Sequence, residues 1–572
     1  MVGSPQRIKR SRADFEGTDT QPNTSSSQFN IKENLPTDII LKICQEMDAR
    51  SVLALRAADR RFHEIISDHL PKTIQQVFND RCPQNNSKKD LANVFSLEAI
   101  KSSKIQINAL KWAAEQDRMD YLEMLIERGI DWQVQDEMGN NILMWTAFKG
   151  YTDVIHFLIK KEVISDLNVR NLYGNTALML AVEEGHIEIA QALIQAGANV
   201  NIQNQDGDTA LMLACYHEEE EIDIVQDLMA ARADFECRNK FGRTALMIAV
   251  SNCYTGVVRL LAAAGVNLHA QDNENDTALI MAAAEGHVDC IRLLVQQDPN
   301  VLNAVNVEGM TALMVAIVDR RLESIQDLVR PGPYLNFQDE RGNTALMLAV
   351  SNNWIESVAV LARAGSDLNI QNRAGDTGLT LAISKGYSAI AQFLISAGAN
   401  GGLEDEQGYT ALLLAIKKGQ MEILRSFGDA GIDLDQQTSI YRYTPLMVAA
   451  ESNRANMIYY LAQMGVNLNL QARNTYTALM MAVDAGAQDS MDALIGVGAD
   501  INMQDMLGYT ALMRAVLKDD EESVRILIEA GANPFLRNRR GKNALEEAEL
   551  RDNHNIIRAL FCAERRRREA NF

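Results

Sequence analysis

A hexapeptide of the form G-x-T-A-L-M returns along this chain of 572 residues at intervals of 33 to 35 residues. A regular period of this length indicates a stack of supersecondary repeats, none of which can bury its apolar face without its neighbours. The sequence therefore predicts an array over roughly residues 104–564, which offers a surface for binding. With the threonine position as anchor, the series is Asn108, Asn141, Thr176, Thr209, Thr244, Thr277, Thr311, Thr344, Thr377, Thr410, Thr444, Thr477, Thr510 and Asn543.

Each repeat has the pattern of two short helices and an extended finger. The hydroxyl of Thr176 can accept a hydrogen bond from an unpaired amide of a first helical turn, so the first helix is predicted to begin there. Gly185-His186 interrupts the helical periodicity. A second apolar helix follows and is predicted to end at Gly197. An extended segment then leads to a turn at Asp206-Gly207, after which the next copy begins.

These residues resemble the ankyrin repeat, in which a T-P-L-H-x-A helix start, a G-H helix turn and a G-A-D/N-V-N finger return about every 33 residues. The resemblance implies an all-α ankyrin-repeat solenoid of about fourteen helix-turn-helix units with finger loops, and a role in protein binding. Ala usually replaces the family's Pro, and we expect a flexible thioether to fill the space of the family's histidine network. The methionines in that histidine position are Met144, Met179, Met212, Met247, Met314, Met347, Met447, Met480 and Met513.

The overall charge narrows the class of partner. A formal net charge of −21 and a pI near 4.9 disfavour a surface for nucleic acid or for an anionic membrane, because both are themselves negative. A basic or neutral protein partner fits this charge better. Seven cysteines lie scattered without a C-x-x-C pair, so we expect reduced thiols rather than a disulfide framework or a zinc site.

The two ends of the chain do not follow the repeat. No apolar run approaches the length that crosses a bilayer, and charges stand where a secretory peptide needs its apolar region. We therefore expect a cytoplasmic protein, with nuclear import through the basic patch at residues 7–12 as the alternative. Residues 1–32 are predicted to be a disordered tail, residues 74–103 a helical linker, and residues 565–572 a basic C-terminal tail.

The segment 33–73 also stands outside the repeat and predicts a small unit of three helices. Pro36 suits the first position of a helix, Asp38 suits its positive end, and an isoleucine stripe follows. This segment resembles an F-box, which opens L-P-x-E/D-I-L-x-x-I and closes near R-x-F/W; Arg61-Phe62 fits the close. The apolar residues that the resemblance assigns to adaptor docking are Leu35, Pro36, Ile39, Ile40, Ile43, Val52, Leu55 and Phe62.

The F-box resemblance implies docking onto a Skp-type adaptor, which links to a cullin and a RING ubiquitin ligase in the SCF assembly. The chain would then be a substrate-recognition subunit whose array holds a target protein. The alternative is that these helices only cap the apolar face of the first repeat, which leaves a non-enzymatic scaffold or sequestering protein. A eukaryotic receptor and an effector delivered into host cytoplasm by an intracellular bacterium both remain open, and the repeated Met-for-His replacement favours the effector.

The residue directly before the anchor changes character along the array. It is mostly polar in the earlier repeats: Asn140, Asn175, Asp208, Arg243, Asp276, Asn343 and Asp376. In the ankyrin resemblance this position faces the concave side of the stack. In four later repeats it is tyrosine, a preferred interface anchor, and we expect one aromatic ladder there. The residues predicted to bind a target are these tyrosines and their finger neighbours: Tyr409, Tyr441, Tyr443, Tyr476, Met506, Leu507 and Tyr509.

Other interpretations of these features remain open. The tyrosines could serve only to stabilise the stack, and the acidic run at residues 218–221 is either a second binding surface or a solvated helix turn. Catalysis is not predicted, since the chain has no G-x-x-x-x-G-K-S/T loop, no G-x-S-x-G elbow and no H-E-x-x-H motif. We expect no catalytic residue, no metal site and no cofactor.

Overall fold

The computed structural model describes residues 103–570 except 116, 118, 128, 162–165, 218–219, 221 and 331–334. The predicted tail, the F-box-like segment 33–73 and the linker up to residue 102 lie outside the described residues. Every residue predicted to dock an adaptor lies there too. The chain divides into two compact units, Met1–Asp166 and Leu167–Phe572. The sequence analysis did not predict this division, because the repeat period continues across it.

The described part of the first compact unit contains two helix pairs: α1 Ser103–Glu115 with α2 Met119–Glu127, and α3 Ile142–Lys149 with α4 Thr152–Lys160. Asn141 begins α3 as predicted, and its Oδ1 accepts a hydrogen bond from the Met144 amide at 3.0 Å. The expectation that Asn108 begins a helix is wrong, because Asn108 lies inside α1. This helix begins at Ser103, five residues before the predicted start.

The described part of the second compact unit contains twelve further helix pairs and a 3₁₀ helix at Pro299–Asn303. Together the described residues hold the fourteen predicted helix-turn-helix repeats, and their β structure is limited to isolated bridges. The last helix reaches Ala570, so the boundary expected at residue 564 falls within it. The pairs are α5 Ala177–Glu183 with α6 Ile187–Gln195, α7 Ala210–Ala214 with α8 Ile222–Ala230, α9 Ala245–Ser251 with α10 Thr255–Ala263, α11 Ala278–Glu285 with α12 Val288–Gln297, α13 Ala312–Val318 with α14 Leu322–Val329, α15 Ala345–Ser351 with α16 Ile355–Arg363, α17 Gly378–Lys385 with α18 Ser388–Ser396, α19 Ala411–Lys417 with α20 Met421–Asp429, α21 Pro445–Glu451 with α22 Ala455–Gln463, α23 Ala478–Ala485 with α24 Gln488–Gly496, α25 Ala511–Leu517 with α26 Glu521–Glu529, and α27 Ala544–Glu549 with α28 His554–Ala570.

The anchor threonines begin the first helix of each repeat, as their position predicts. Thr176 has an extended backbone, and its hydroxyl accepts a hydrogen bond from the Met179 amide at 3.3 Å. This satisfies one of the amides that a helix start leaves unpaired. The Met179 sulfur in turn accepts a hydrogen bond from the Thr176 amide at 3.4 Å, and Met247 and Met447 do the same for their anchors. The thioether therefore replaces part of the polar network as well as filling space.

The core lies between consecutive repeats. First helices pack on the first helices of neighbouring repeats, and second helices on second helices. All nine methionines in the histidine position are only 1% exposed, which confirms that they are packing residues. In α5 every residue from Ala177 to Val182 is buried, and the small alanines let the neighbouring helices come close.

The fingers are held by side chains as well as by backbone. Asn204 Oδ1 accepts from the amides of Asp206 and Asp208 at 3.0 and 2.9 Å, which closes the finger turn. Gly207 has φ +80°, and a Cβ there would lie 2.8 Å from Asn239 Cα in the next finger, so glycine is required. The Gln203 amide group bridges its own finger to the next through two carbonyl oxygens. These bonds fix the backbone that carries the residue before each anchor.

Candidate protein-binding surface

The four predicted tyrosines lie at the base of successive fingers, and we call Tyr409, Tyr443, Tyr476 and Tyr509 the tyrosine row. Their amides are fixed by finger side chains. Tyr409 and Tyr509 donate to the Asp405 and Asp505 carboxylates at 2.9 Å. Tyr443 donates to a threonine hydroxyl and Tyr476 to an asparagine carbonyl oxygen within their own fingers, at 2.9 and 3.1 Å. The backbone positions of the row are therefore set before any partner binds.

Cationic side chains cover two of the rings. Lys417 Nζ lies 4.2 Å from the Tyr409 ring centroid and donates to its hydroxyl at 2.9 Å. Arg514, from the following repeat, places its guanidinium carbon 3.9 Å from the Tyr476 ring centroid. Arg514 is itself held by Asp484 and Asp505. These contacts have the geometry of cation–π interactions and orient both rings.

The row is not the stack of rings that the sequence analysis expected. In the described chain, the ring contact made by the row is between Tyr443 and Tyr441 of the same finger, with centroids 5.5 Å apart. The Tyr409 and Tyr476 rings meet a lysine and an arginine instead. Tyr509 is only 8% exposed, so it offers little area to a partner.

The most exposed apolar side chains of these fingers lie at their tips. Tyr441, Met506 and Leu507 are 50%, 51% and 54% exposed, and they were predicted from the sequence. Ile440, at 43%, was not. We call these four residues the tip patch. The sequence feature that could have indicated Ile440 is the period of 34 residues between Thr410 and Thr444. It reflects one extra residue in this finger.

The finger that carries Ile440 and Tyr441 packs differently from the earlier fingers. A Cβ on Gly207, Gly342 or Gly375 would meet backbone of the next finger at 2.7–2.8 Å, whereas a Cβ on Gly408 would meet only side chains, at 3.6 Å or more. The Glu404 carboxylate joins these two fingers by accepting from the amide and hydroxyl of Ser439, both at 2.6 Å. The longer finger therefore stands away from its predecessor.

Two fingers of the row also carry an unusual backbone. Arg442 and Thr475 occupy the position that is glycine in most fingers, and their φ values are +57° and +63°. A branched residue such as threonine is seldom found in this left-handed conformation, which costs on the order of 1–3 kcal/mol. Strain of this kind concentrates at functional sites. It lies directly beside Tyr443 and Tyr476.

In the earlier repeats the residue before the anchor has a structural task. Asn175 Oδ1 accepts from Asn204 Nδ2 at 2.9 Å, and Asp208 Oδ1 accepts from Asn239 Nδ2 at 3.0 Å. These side chains are buried and join one finger to the next. Burial, followed by the charge of Asp272, raises the pKa of Asp276 to about 6.

The acidic run has a structural use at its one described residue. Glu220 Oε1 accepts from the Val257 amide in the first turn of α10 at 2.8 Å. A carboxylate at the positive end of a helix is stabilising. The other three glutamates of the run lie outside the described residues.

No group of three or more His, Cys, Asp and Glu side chains among the described residues is placed to hold a metal ion. None of the helices described here has the length and apolar character to cross a membrane.

Comparison with known proteins identifies the repeat. Mouse and human proteins named Ankyrin repeat domain-containing protein 63 are each 34% identical over 87 residues, which is 15% of this chain and 22% and 23% of theirs. A rice (Oryza sativa subsp. japonica) protein named Probable E3 ubiquitin-protein ligase XBOS33 is 44% identical over 55 residues, 10% of each chain. This chain thus spans less than a quarter of the length of these relatives.

The crystal structure of the ankyrin repeat domain of Bcl-3, described as a unique member of the IkappaB protein family, aligns with 39% of this chain and all of its own. The sequence identity is 30% and the TM-score 0.36. The family described as Ankyrin repeats (3 copies) matches residues 110–204, 192–272, 258–339, 297–372, 321–405, 346–438, 391–472, 430–505 and 479–568. These overlapping matches cover well over half of the chain, and repeats of this family bind proteins. The chain belongs to the ankyrin-repeat family.

Proposed function

We propose that this chain is the substrate-recognition subunit of an SCF-type cullin-RING ubiquitin ligase. In this proposal the segment 33–73 docks a Skp-type adaptor and the array holds a target protein. The chain itself is non-enzymatic, needs no cofactor, and leaves ubiquitin transfer to other subunits. Support for the ligase part comes from the F-box-like pattern and from the short match to a rice protein named as a probable E3 ubiquitin-protein ligase.

The observation that carries target binding is the tip patch beside the tyrosine row. Four apolar side chains, each more than two fifths exposed, lie on two fingers that flank the finger of Tyr476. Exposed apolar groups of this kind mark interaction sites, and tyrosine supplies rigid area with a polar end. Burial raises the pKa of Tyr443 and of Tyr476, so both phenols stay neutral at physiological pH and can donate hydrogen bonds.

Adaptor binding is tested with the purified full chain and a purified Skp-type adaptor by size-exclusion chromatography with light scattering. The wild type should co-elute with the adaptor, and the double variant Leu35→Ala, Pro36→Ala should not. Lys42→Ala is the matched control, since the F-box pattern does not use that position. A wild type that fails to bind the adaptor would remove the ligase role and leave a scaffold or sequestering protein.

Target binding is tested by comparing the proteins captured by full-length variants, with quantification by mass spectrometry. The variant Tyr441→Ala, Met506→Ala should lose the captured target several-fold. Leu172→Ala, Tyr173→Ala is the matched control, because these tip residues of an earlier finger are similarly exposed, at 62% and 43%. Equal loss with both variants, or no loss with either, would show that the tip patch is not the target site.

A further inference from the structure

Two cysteines of neighbouring repeats lie side by side in the second compact unit. Cys253 is exposed and lies in the turn after α9. Cys290 is fully buried in the first turn of α12, in the next repeat. The neighbouring Cys253 thiol contributes to the surroundings that raise the pKa of Cys290. One thiol is therefore open to solvent, and the other is buried near it.

An equivalent pair of positions in later repeats shows how close these two positions are. Cys253 and Cys290 follow their anchors by the same intervals as Asn453 and Ser490 follow theirs. Asn453 Oδ1 accepts from the Ser490 amide at 3.0 Å, so its side chain reaches the backbone of residue 490 directly. A disulfide spans a similarly short separation between two backbones. The geometry of the array therefore brings this pair of positions into bonding range.

Cys253 has a side chain although its backbone conformation favours glycine. Its φ is +60°, a conformation that glycine adopts in the equivalent turns at Gly185 and Gly286. In two other repeats, a residue that is not glycine occupies this turn and its side chain binds the next repeat. Arg320 donates to the Asn352 carbonyl oxygen at 2.7 Å, and the Asp519 carboxylate accepts from Asn553 at 2.6 Å.

We infer that Cys253 and Cys290 form a redox site, in which a low-molecular-weight disulfide such as oxidised glutathione converts the two thiols into a disulfide that links neighbouring repeats. Cys253 attacks one sulfur of oxidised glutathione, which forms a mixed disulfide and releases one glutathione thiol. Cys290 then attacks the Cys253 sulfur, forms the second S–S bond and releases the other glutathione. The two protein thiols are oxidised, their protons pass to the glutathione leaving groups, and two molecules of reduced glutathione result.

The environment of Cys290 sets the rate of the second step. Burial, followed by the neighbouring Cys253, Asp289 and Glu220, raises the pKa of Cys290 to about 12. Asp289 lies on the same helix, and Glu220 comes from the repeat before that of Cys253. Only the thiolate attacks a disulfide, so closure should accelerate as the pH rises from 7 to 9. The disulfide carries no charge and is compatible with the buried, acidic surroundings.

The test uses the full chain with Cys237→Ser and Cys562→Ser, which removes two other thiols outside the buried core. After treatment with oxidised glutathione and digestion with trypsin without reductant, mass spectrometry should find peptide 244–259 joined to peptide 260–292. Reduced glutathione should separate them again. A stable glutathione adduct on Cys253 with no joined peptides would overturn the inference, as would the absence of any reaction.

Cys290→Ser is the matched variant, because buried serine occupies the same position in other repeats, as at Ser357, Ser490 and Ser523. This variant should accumulate the glutathione adduct on Cys253, since the attacking thiol is gone. Cys253→Ser should leave Cys290 unmodified. Unchanged thermal midpoints of the reduced proteins show that each variant is folded. If Cys290→Ser accumulates no more adduct than the parent chain, Cys290 is not the second thiol.

Discussion

The earlier and later fingers use one sequence position in two ways. Before Thr176 and Thr209, buried Asn175 and Asp208 bond to the next finger and serve as joints. Before Thr410 and Thr477, a tyrosine takes the same place, and its ring lies under a lysine or an arginine. The helices and anchors are alike in both regions. Between the fingers of Tyr409 and Tyr443, the bond from Glu404 to Ser439 joins the two fingers instead.

The comparison predicts first that the two regions share one core. Leu346 and Leu479 follow their anchors at the same interval and are both buried. Replacing either by Ala should destabilise the protein by about 2–5 kcal/mol, the range for a buried leucine. Urea denaturation followed by circular dichroism measures the loss in free energy of unfolding. Leu507→Ala, at an exposed tip, should change stability by less than about 0.5 kcal/mol. Very different losses for the two buried leucines would mean that the regions do not share one packing scheme.

The second prediction separates the regions at the position before the anchor. Asn175→Ala leaves the buried Asn204 Nδ2 without its partner, and an unsatisfied buried donor costs about 1–3 kcal/mol. Tyr443→Ala removes a partly exposed ring and should cost less. The same urea titration measures both. A larger loss for Tyr443→Ala would show that the tyrosine row is mainly structural.

The third prediction concerns pH. Burial and Asp272 raise the pKa of Asp276 to about 6, above the value of about 4 for an unfolded aspartate. Because the folded state then favours the protonated form, the contribution of Asp276 to stability is fully present below pH 4. It is lost as the pH rises to 6. Asp276→Asn should remove this loss of stability between pH 4 and pH 6. Asparagine is already present at the equivalent position, Asn343. Thermal midpoints between pH 4 and 7 measure the difference; parallel curves for the two proteins would contradict it.

Much of this fold follows from local chemistry that a sequence displays. The anchor threonines, the buried methionines and the glycine at Gly207 each have one physical reason to stand where they do. The start of α1 was predicted wrongly, because the repeat period alone assigned Asn108 to a helix start, whereas it lies inside the helix Ser103–Glu115. The same sequence reasoning missed the covering of the row, since Arg514 reaches Tyr476 from a repeat 33 residues further along.

Three of the four residues of the tip patch were predicted from the sequence. The repeat pattern places Tyr441, Met506 and Leu507 in finger turns, where apolar residues are unusual and easily recognised in the sequence. Ile440 becomes exposed because one extra residue lengthens its finger, and that effect depends on how Gly408 packs. Insertions of a single residue in a repeat are therefore worth treating as candidate binding positions.

The smallest expected effect is the coupling between Tyr476 and Arg514, and it tests whether the row is preorganised. The guanidinium lies over the ring while Asp484 and Asp505 hold its nitrogens, so the arginine keeps its place when the ring is removed. A double-mutant cycle with Tyr476→Ala and Arg514→Ala should give a coupling free energy of about 0.5–1 kcal/mol, as for a partly exposed cation–π pair. Tyr476→Phe should retain most of it, because the ring face is kept. If the coupling free energy with Arg514 is lost in Tyr476→Phe, the phenol hydroxyl rather than the ring face makes the contact. The row is then oriented by hydrogen bonds.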